Sequence, residues 1–377
     1  MFIHLVSGCI FIYLLFRFVL PLPLGRRAKL AAGLLLFFVS QQHVLSRLFF
    51  GSLASPELPA PVLMFQGWTF ISLVFLLLLV ILRDVCLLAL RLFHFSKKKL
   101  TFPFSPGRRQ ALIAGLALAP AAYGVREAVA VPNVRHMERT LPGLPGGLDG
   151  LTIAQITDLH VSPLLRGKWV RQVVEEVNAL SPDLILFTGD TVDGTPSRRA
   201  GNVEPLKELR ARYGVYGCVG NHEYYGDFRA WMERFPDLGV TILQNSHTVL
   251  DINRHKLVIA GLTDIAAARF NLPTPDCAAA LAGAPENVPR ILLDHRPGNV
   301  ASNTRTRIDL QLSGHTHGGQ ILGMHKLVAR FNQNYVYGWY EVNDTPMYVS
   351  SGAGLWNGFP VRLGVPSEIP FITLRAS

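Results

Sequence analysis

Five short stretches of this 377-residue chain bring carboxylates, an amide and imidazoles together at close spacing: Asp158-Leu-His160, Gly189-Asp190-Thr-Val-Asp193, Gly220-Asn221-His222-Glu223, Asp294-His295 and His315-Thr-His317. Five of the twelve histidines fall in them. The other seven (His4, His43, His94, His136, His247, His255 and His325) lack such neighbours and read as ordinary surface, membrane-edge or core residues. Each stretch alone is a weak signal, because short His-x-His matches arise by chance. A mixed Asp, Asn and His donor set suits borderline divalent cations such as Mn, Fe or Zn, with Mg a further candidate. One carboxylate can bridge two ions through its two oxygens. Two ions about 3.5–4 Å apart can clamp a phosphoryl group and lower the pKa of bound water from 15.7 towards ~7. In LSGHTHGGQ, two imidazoles one residue apart can reach neighbouring ions, and the glycines after them let the backbone turn tightly beneath.

Such residues converge only if the elements before them deliver them to one place. From Leu151 the chain alternates apolar runs of strand length with helical stretches. LTIAQIT, LILFTGD, VYGCVGNHE, VTILQN, TVLDI, KLVIAGL, RILLDHRP and IDLQLSGHTHGGQ read as strands, several ending in a polar tip. WVRQVVEEVNAL, Glu204–Arg212 and Asp227–Arg234 read as helices. The alternation implies a sheet with helices packed on it and function at the strand ends. Asp294 reads as a structural acid rather than a ligand.

The set DLH, GDTVD, GNHE, DHRP and GHTHGGQ, in that order, resembles the calcineurin-like metallophosphoesterase superfamily over about residues 150–375. It is similar in particular to the membrane-anchored or exported bacterial branch, whose closing segment resembles SSGAGLWNGFPVRLGVPSEIPFITL. The resemblance implies an α/β fold, an αββα two-sheet sandwich, with two divalent metals at the strand ends. It implies that Asp158, His160, Asp190 and His317 hold the first metal. Asp190 would bridge to a second, held also by Asn221, His295 and His315. His222 would face the phosphate and the leaving oxygen, with Asp193 orienting it; Glu223 completes its motif without an assigned role. The expected chemistry is hydrolysis of phosphomono- or diesters by a metal-bridging hydroxide.

Composition sets the surroundings. Hydrophobic residues make up 49% of the chain and charged residues only 16%, so part of it should not face water. The net charge of +10 lies at one end: residues 1–110 carry 12 Lys and Arg against Glu57 and Asp84, and the remainder is balanced, 24 against 24. That placement argues against a nucleic-acid partner for the catalytic part and for membrane topology. Four hydrophobic segments precede residue 132: about Phe2–Leu20, about Leu30–Phe50, the run from Val62, and ALIAGLALAPAAYGV from Ala111. A span needs roughly 20 apolar residues, which the first three supply and the fourth barely approaches. Arg26, Arg27 and Lys29, and then Lys97, Lys98, Lys99, Arg108 and Arg109, would face the cytoplasm, placing the C-terminal domain outside. Arg108 and Arg109 also resemble a twin-arginine export signal.

The expected organisation is a helical membrane region at 1–131 with about four spans, a Pro- and Gly-rich linker at 132–150, and a catalytic domain at 151–377. Cys9, Cys86, Cys218 and Cys277 have no CxxC spacing and suggest neither a zinc ribbon nor redox chemistry. A multi-pass membrane setting favours a phospholipid, a lipid-linked nucleotide or sugar phosphate, or a lipid A precursor as substrate. Leu355, Trp356, Phe359 and Pro360 would suit an apolar lip. Two readings compete: a non-catalytic metal-binding sensor or scaffold, and a small transporter. The second needs charges within the spans, and Arg17 and Asp84 near span ends read as ordinary anchors.

Overall fold

The computed structural model describes residues 2–50, 55–93 and 105–377. The basic loop with Lys97, Lys98 and Lys99, His94 and the first residues of the linker after Phe50 lie outside them. The chain divides into two compact units, Met1–Arg126 with Gly358–Val361, and Glu127–Asn357 with Arg362–Ser377.

The first unit is helical: α1 (Phe2–Leu14), running on into a π-helical turn at Leu15–Val19, then α2 (Arg26–Phe50), α3 (Ala60–Phe93) and α4 (Pro106–Ala128). Leu14, Val19, Leu36, Leu73 and Val80 form its packed interior, with Ile113 of α4 against them. Many other apolar side chains point outward, among them Leu34, Leu35 and Phe38 of α2 and Leu78, Leu82, Leu88 and Leu92 of α3. A contiguous apolar exterior of this kind needs an apolar solvent or a partner. Two of the described helices, Arg26–Phe50 and Ala60–Leu92, are long and apolar enough to cross a membrane; the stretch Leu5–Val19 is apolar but shorter. The Ala- and Gly-rich fourth segment forms α4, with Pro120 inside it. Phe359 stacks on His43 within this unit, ring centroids 4.6 Å apart, and His43 Nε2 lies 3.1 Å from the Gly358 carbonyl. Phe359 therefore packs among the helices rather than standing free as a lip.

The second unit holds two six-stranded sheets. Its elements run β1 (Asn133–Leu141), β2 (Thr152–Ile156), α5 (Gly167–Ala179), β3 (Leu184–Thr188), α6 (Pro196–Val203), β4 (Val215–Cys218), α7 (Asn221–Tyr225), α8 (Phe228–Asp237) and β5 (Thr241–Ile242). Then come β6 (Ser246–Ile252), β7 (His255–Gly261), α9 (Cys277–Ala280), β8 (Arg290–Leu293), α10 (Val300–Asn303), β9 (Leu310–Ser313), α11 (His325–Phe331), β10 (Gly338–Val342), β11 (Thr345–Val349) and β12 (Glu368–Ala376). One sheet has the order β1-β12-β2-β3-β4-β5, the other β10-β11-β9-β8-β7-β6. β2 through β5 run parallel, as do β7, β8, β9 and β11.

Period-two side chains explain the sandwich. Ile153, Leu184 and Leu186 of one sheet and Leu257, Ile259, Ile291, Leu293, Leu310 and Leu312 of the other meet in one buried core. The opposite faces are buried too. Val258, Ala260 and Leu292 pack under Cys277 and Ala280 of α9, and Val300 of α10 covers Met347 and Val349. α5 buries Trp169, Val170, Val173, Val174 and Val177, a stripe with helical spacing. The αββα two-sheet architecture is thus the observed one, with a helical region before it.

Two expectations need correction. The supposed linker at 132–150 contains β1, which pairs in parallel with β12 from Asn133↔Glu368 to Leu141↔Ala376. Its prolines and glycines flank the strand instead of interrupting it. The helix expected over Glu204–Arg212 lies earlier, at α6, started by Pro196 in its first turn, and Glu204–Glu208 is a single 3-10 turn. The helix expected at Asp227–Arg234 is α8, with Asp227 capping its N-terminus by accepting from the Ala230 N–H at 3.2 Å.

Candidate metal centre

Parallel strands put the residues that follow them on the same edge of a sheet. Asp158 and His160 follow β2, Asp190 and Asp193 follow β3, and Asn221 and His222 follow β4. His295 follows β8, while His315 and His317 follow β9. The chain turns abruptly at these ends. Asp158, His160, Asp190, His315 and His317 all have positive φ, between 44° and 71°, a region that non-glycine residues seldom occupy. Backbone strain of this kind persists where surrounding structure holds it, and it gathers at functional sites. The two sheets are tied at this edge: His295 Nδ1 lies 2.7 Å from the Thr188 carbonyl, and buried Gln155 donates to Thr188 Oγ1 (2.9 Å) and the Ser313 carbonyl (3.0 Å).

The side chains form two nests. In the first, His160 Nε2 and His317 Nε2 are 3.2 Å apart, and His317 Nε2 is 3.4 Å from Asp158 Oδ1. In the second, His295 Nε2 is 3.2 Å from both His315 Nδ1 and Asp190 Oδ2. Asp190 Oδ2 also lies 3.7 Å from His160 Nε2, so one carboxylate oxygen faces both nests. The Asn221 amide joins the second nest through Arg296, which donates from Nη2 to Asn221 Oδ1 (2.9 Å) and whose Nη1 is 2.8 Å from His315 Nε2.

A third grouping, His160, Asp193 and His222, has a hydrogen-bonding explanation instead. Asp193 Oδ1 accepts from His222 Nδ1 (2.6 Å) and His160 Nδ1 (3.0 Å). It therefore fixes two rings, not one, leaving both Nε2 atoms turned away from it. His222 Nε2 is 4.0 Å from Asp190 Oδ2.

Burial and charge oppose each other at Asp193, Asp190 and His222. Burial alone would raise the Asp193 carboxyl, but the imidazoles of His160 and His222 hold it far below the carboxylate range. Asp190 is likewise held well down, against burial, chiefly by His295 and His222. Burial lowers the His222 imidazole, and Asp193 and Asp190 outweigh it, bringing it to about 9. His317 is pushed well down by burial and by His160.

Further residues support these nests; Glu223 and Arg296 sit beside motif residues, and Arg362 does not. Glu223 accepts from the N–H groups of Gly220 (2.7 Å), Asp190 (3.1 Å) and Thr191 (2.7 Å), pinning the β3 and β4 loops to each other. Arg296 is held by Asp264, which accepts from its Nε at 2.7 Å. Buried Arg362 donates to the carbonyls of Ser351 (2.8 Å) and Gly354 (2.7 Å), and the Gly354 N–H donates in turn to the Asp158 carbonyl (2.9 Å). Asp294, the residue expected to be structural, accepts from Asn303 Nδ2 at 2.7 Å. Its position next to His295 in DHRP made Arg296 findable; Arg362 lies too far along the chain for any local pattern to mark it.

The donor set fits a pair of divalent cations. Asp158, His160 and His317, and again Asp190, His295 and His315, each bring one donor atom to within 4.8 Å of the others, and such a mixed nitrogen and oxygen set suits a borderline divalent metal. Among the described residues, buried His317 Nδ1 has no hydrogen-bond partner, so that ring is positioned by its Nε2 side.

The chain belongs to the calcineurin-like phosphoesterases, whose family model matches residues 151–319. An uncharacterized metallophosphoesterase of Helicobacter pylori is 35% identical over 77% of this chain and 78% of its own length. One from Bacillus subtilis is 31% identical over 74% of this chain and 99% of its own. A transmembrane protein with metallophosphoesterase domain from Danio rerio is 34% identical over 68% of this chain; the match spans 60% of that longer protein.

Proposed function

We propose that this chain is a membrane-anchored phosphoesterase that uses two divalent ions, Mn, Fe or Zn, to hydrolyse phosphomono- or diesters. Asp158, His160, Asp190 and His317 would hold the first ion, and Asp190, Asn221, His295 and His315 would hold the second. The observation that carries this reading is Asp190 Oδ2, which faces His160 Nε2 at 3.7 Å and His295 Nε2 at 3.2 Å. When bound, such ions supply a nucleophilic water near neutral pH and neutralise the phosphoryl oxygens.

The protein's own groups do the rest. His222, its Nδ1 fixed on Asp193, keeps Nε2 free to hold a proton for the leaving oxygen. Arg296, anchored on Asp264, offers a guanidinium to a phosphoryl oxygen beside the second nest. The Glu223 and Arg362 tethers hold the strained strand ends and keep these groups from relaxing apart.

The helices of the first unit support a membrane setting, as does the transmembrane relative. We take residues 1–131 as a multi-pass membrane region, with the basic loops cytoplasmic and the catalytic domain outside. A phospholipid or a lipid-linked nucleotide or sugar phosphate is the proposed substrate class. The test is turnover by the detergent-solubilised full chain with Mn²⁺, Fe²⁺, Zn²⁺ or Mg²⁺, first on bis-p-nitrophenyl phosphate and then on lipid extracts. Metal-dependent release of nitrophenol is expected. Its absence with every metal would leave a non-catalytic metal-binding protein, and equal turnover of soluble and lipid esters would remove the lipid assignment.

A further inference from the structure

In the second unit, α11 has the sequence HKLVARF, and none of its seven residues is buried. A helix this short is far below the roughly 12–15 residues at which an isolated helix holds in water, so it needs something to lie against. Its first residue abuts the loop that carries His315 and His317. A Cβ on Gly319 would lie 2.7 Å from His325 Cα, and one on Gly318 would lie 3.5 Å from the Tyr337 ring. Leu322 is 71% exposed and Phe331 80%, and Met324, Leu327 and Tyr337 are exposed as well. Met324, Leu327 and Phe331 follow one another at helical spacing, and exposed Lys326 and Arg330 form the neighbouring row. Residues 310–340 contain no Asp or Glu, and neither Lys326 nor Arg330 has an ion-pair partner among the described residues.

Exposed apolar side chains gathered in one place mark a contact surface. Here the charge selects the partner. A row of bases without acids around it is complementary to an anionic surface, and Phe and Leu beside Lys and Arg is the composition of a segment that lies in a lipid interface. We propose that residues 322–337 form a docking surface for an anionic lipid bilayer. Met324, Leu327 and Phe331 enter the boundary between head groups and acyl chains, and Lys326 and Arg330 rest on lipid phosphates. Contact there brings lipid head groups to the edge of the loop bearing His315 and His317. The inference rests on the membrane setting proposed above and adds to it the face of the catalytic unit that meets the lipid.

The test uses the full chain with Cys9→Ser, Cys86→Ser and Phe331→Cys; Cys218 and Cys277 are buried, so an environment-sensitive fluorophore attaches at position 331. The labelled chain is reconstituted in nanodiscs of phosphatidylcholine alone or of an equimolar mixture with phosphatidylglycerol, with and without a nitroxide-bearing lipid. A label on Lys256→Cys, exposed on β7, is the reference. Blue-shifted emission quenched by the nitroxide lipid is expected at position 331 and not at 256, most strongly in the anionic discs. Each base near an anionic surface adds about fivefold to binding, so Lys326→Gln with Arg330→Gln should lower the docked-to-free ratio in those discs more than about tenfold. Lys326→Arg with Arg330→Lys should retain it. Absence of quenching at 331 in the anionic discs would overturn the proposal, as would equal quenching at 331 and 256. A blue shift without quenching, present in detergent too, would assign the face to a protein segment instead. Slower amide exchange of residues 322–337 in anionic than in phosphatidylcholine discs reads the same contact in the unsubstituted chain, should a variant fail to fold. Turnover of bis-p-nitrophenyl phosphate in detergent should be the same in the Lys326 and Arg330 variants, so a failed docking leaves the phosphoesterase reading standing. A chain that does not pellet with membranes from the same cells would sink both this proposal and the membrane setting.

Discussion

At the scale of single residues, Asp193 changes how the site is understood. The sequence motif connects it with His222 alone, yet its Oδ1 holds both His222 and His160. It therefore couples the proposed proton donor to the proposed first-metal nest. His222→Ala should cut turnover of a nitrophenyl ester by about 10²–10⁴-fold with metal content unchanged; loss of metal in that variant would show that His222 is a ligand instead. Asp190→Ala should lose both metals and nearly all activity, because its carboxylate faces both nests. Elemental analysis of the purified variant checks this, and retention of one ion per chain would deny the bridge.

At the scale of elements, loops that follow parallel strands carry the candidate site, and three of them are clamped by a group outside the donor set. Glu223 clamps the β3 and β4 loops through three N–H groups. Glu223→Ala strands those buried donors at about 1–3 kcal/mol each, so a stability loss of at least about 3 kcal/mol is expected as a lower urea midpoint. A midpoint within experimental error of wild type would mean that water replaces the carboxylate. Gly314, at the β9 exit, leaves no space: an added Cβ would collide with Thr157 Oγ1 and Asp158 Oδ2. Gly314→Ala should cost about 1–3 kcal/mol and displace Asp158, read as weaker binding of the more tightly held metal. Unaltered metal affinity would show that the loop yields elsewhere.

At the scale of the whole molecule, the chain couples a helical unit with an apolar exterior to a family catalytic fold. If the second unit holds its ions as proposed, binding adds RT ln(1 + [L]/Kd) to its stability, about 2.7 kcal/mol at a hundredfold excess over Kd. Chelation should therefore lower its melting temperature, and restoring Mn²⁺ should return it; melting unaffected by chelator would mean the nests do not bind. A reporter fused after Ser377 tests the proposed outward orientation, and activity only of a cytoplasmic reporter would reverse it.

The sequence by itself determined the architecture and the candidate site because its information there is local. Period-two apolar runs mark strands, a polar tip marks the ends of five of them, and those five tips in order match one family. β1 was illegible, since NVRHMERTL buries little along its length and becomes a strand only because β12 supplies a partner from more than 200 residues away. The same holds for Arg362 and for the double grip of Asp193. Contacts between residues distant in the chain leave no spacing to read, so only the tertiary structure decided them.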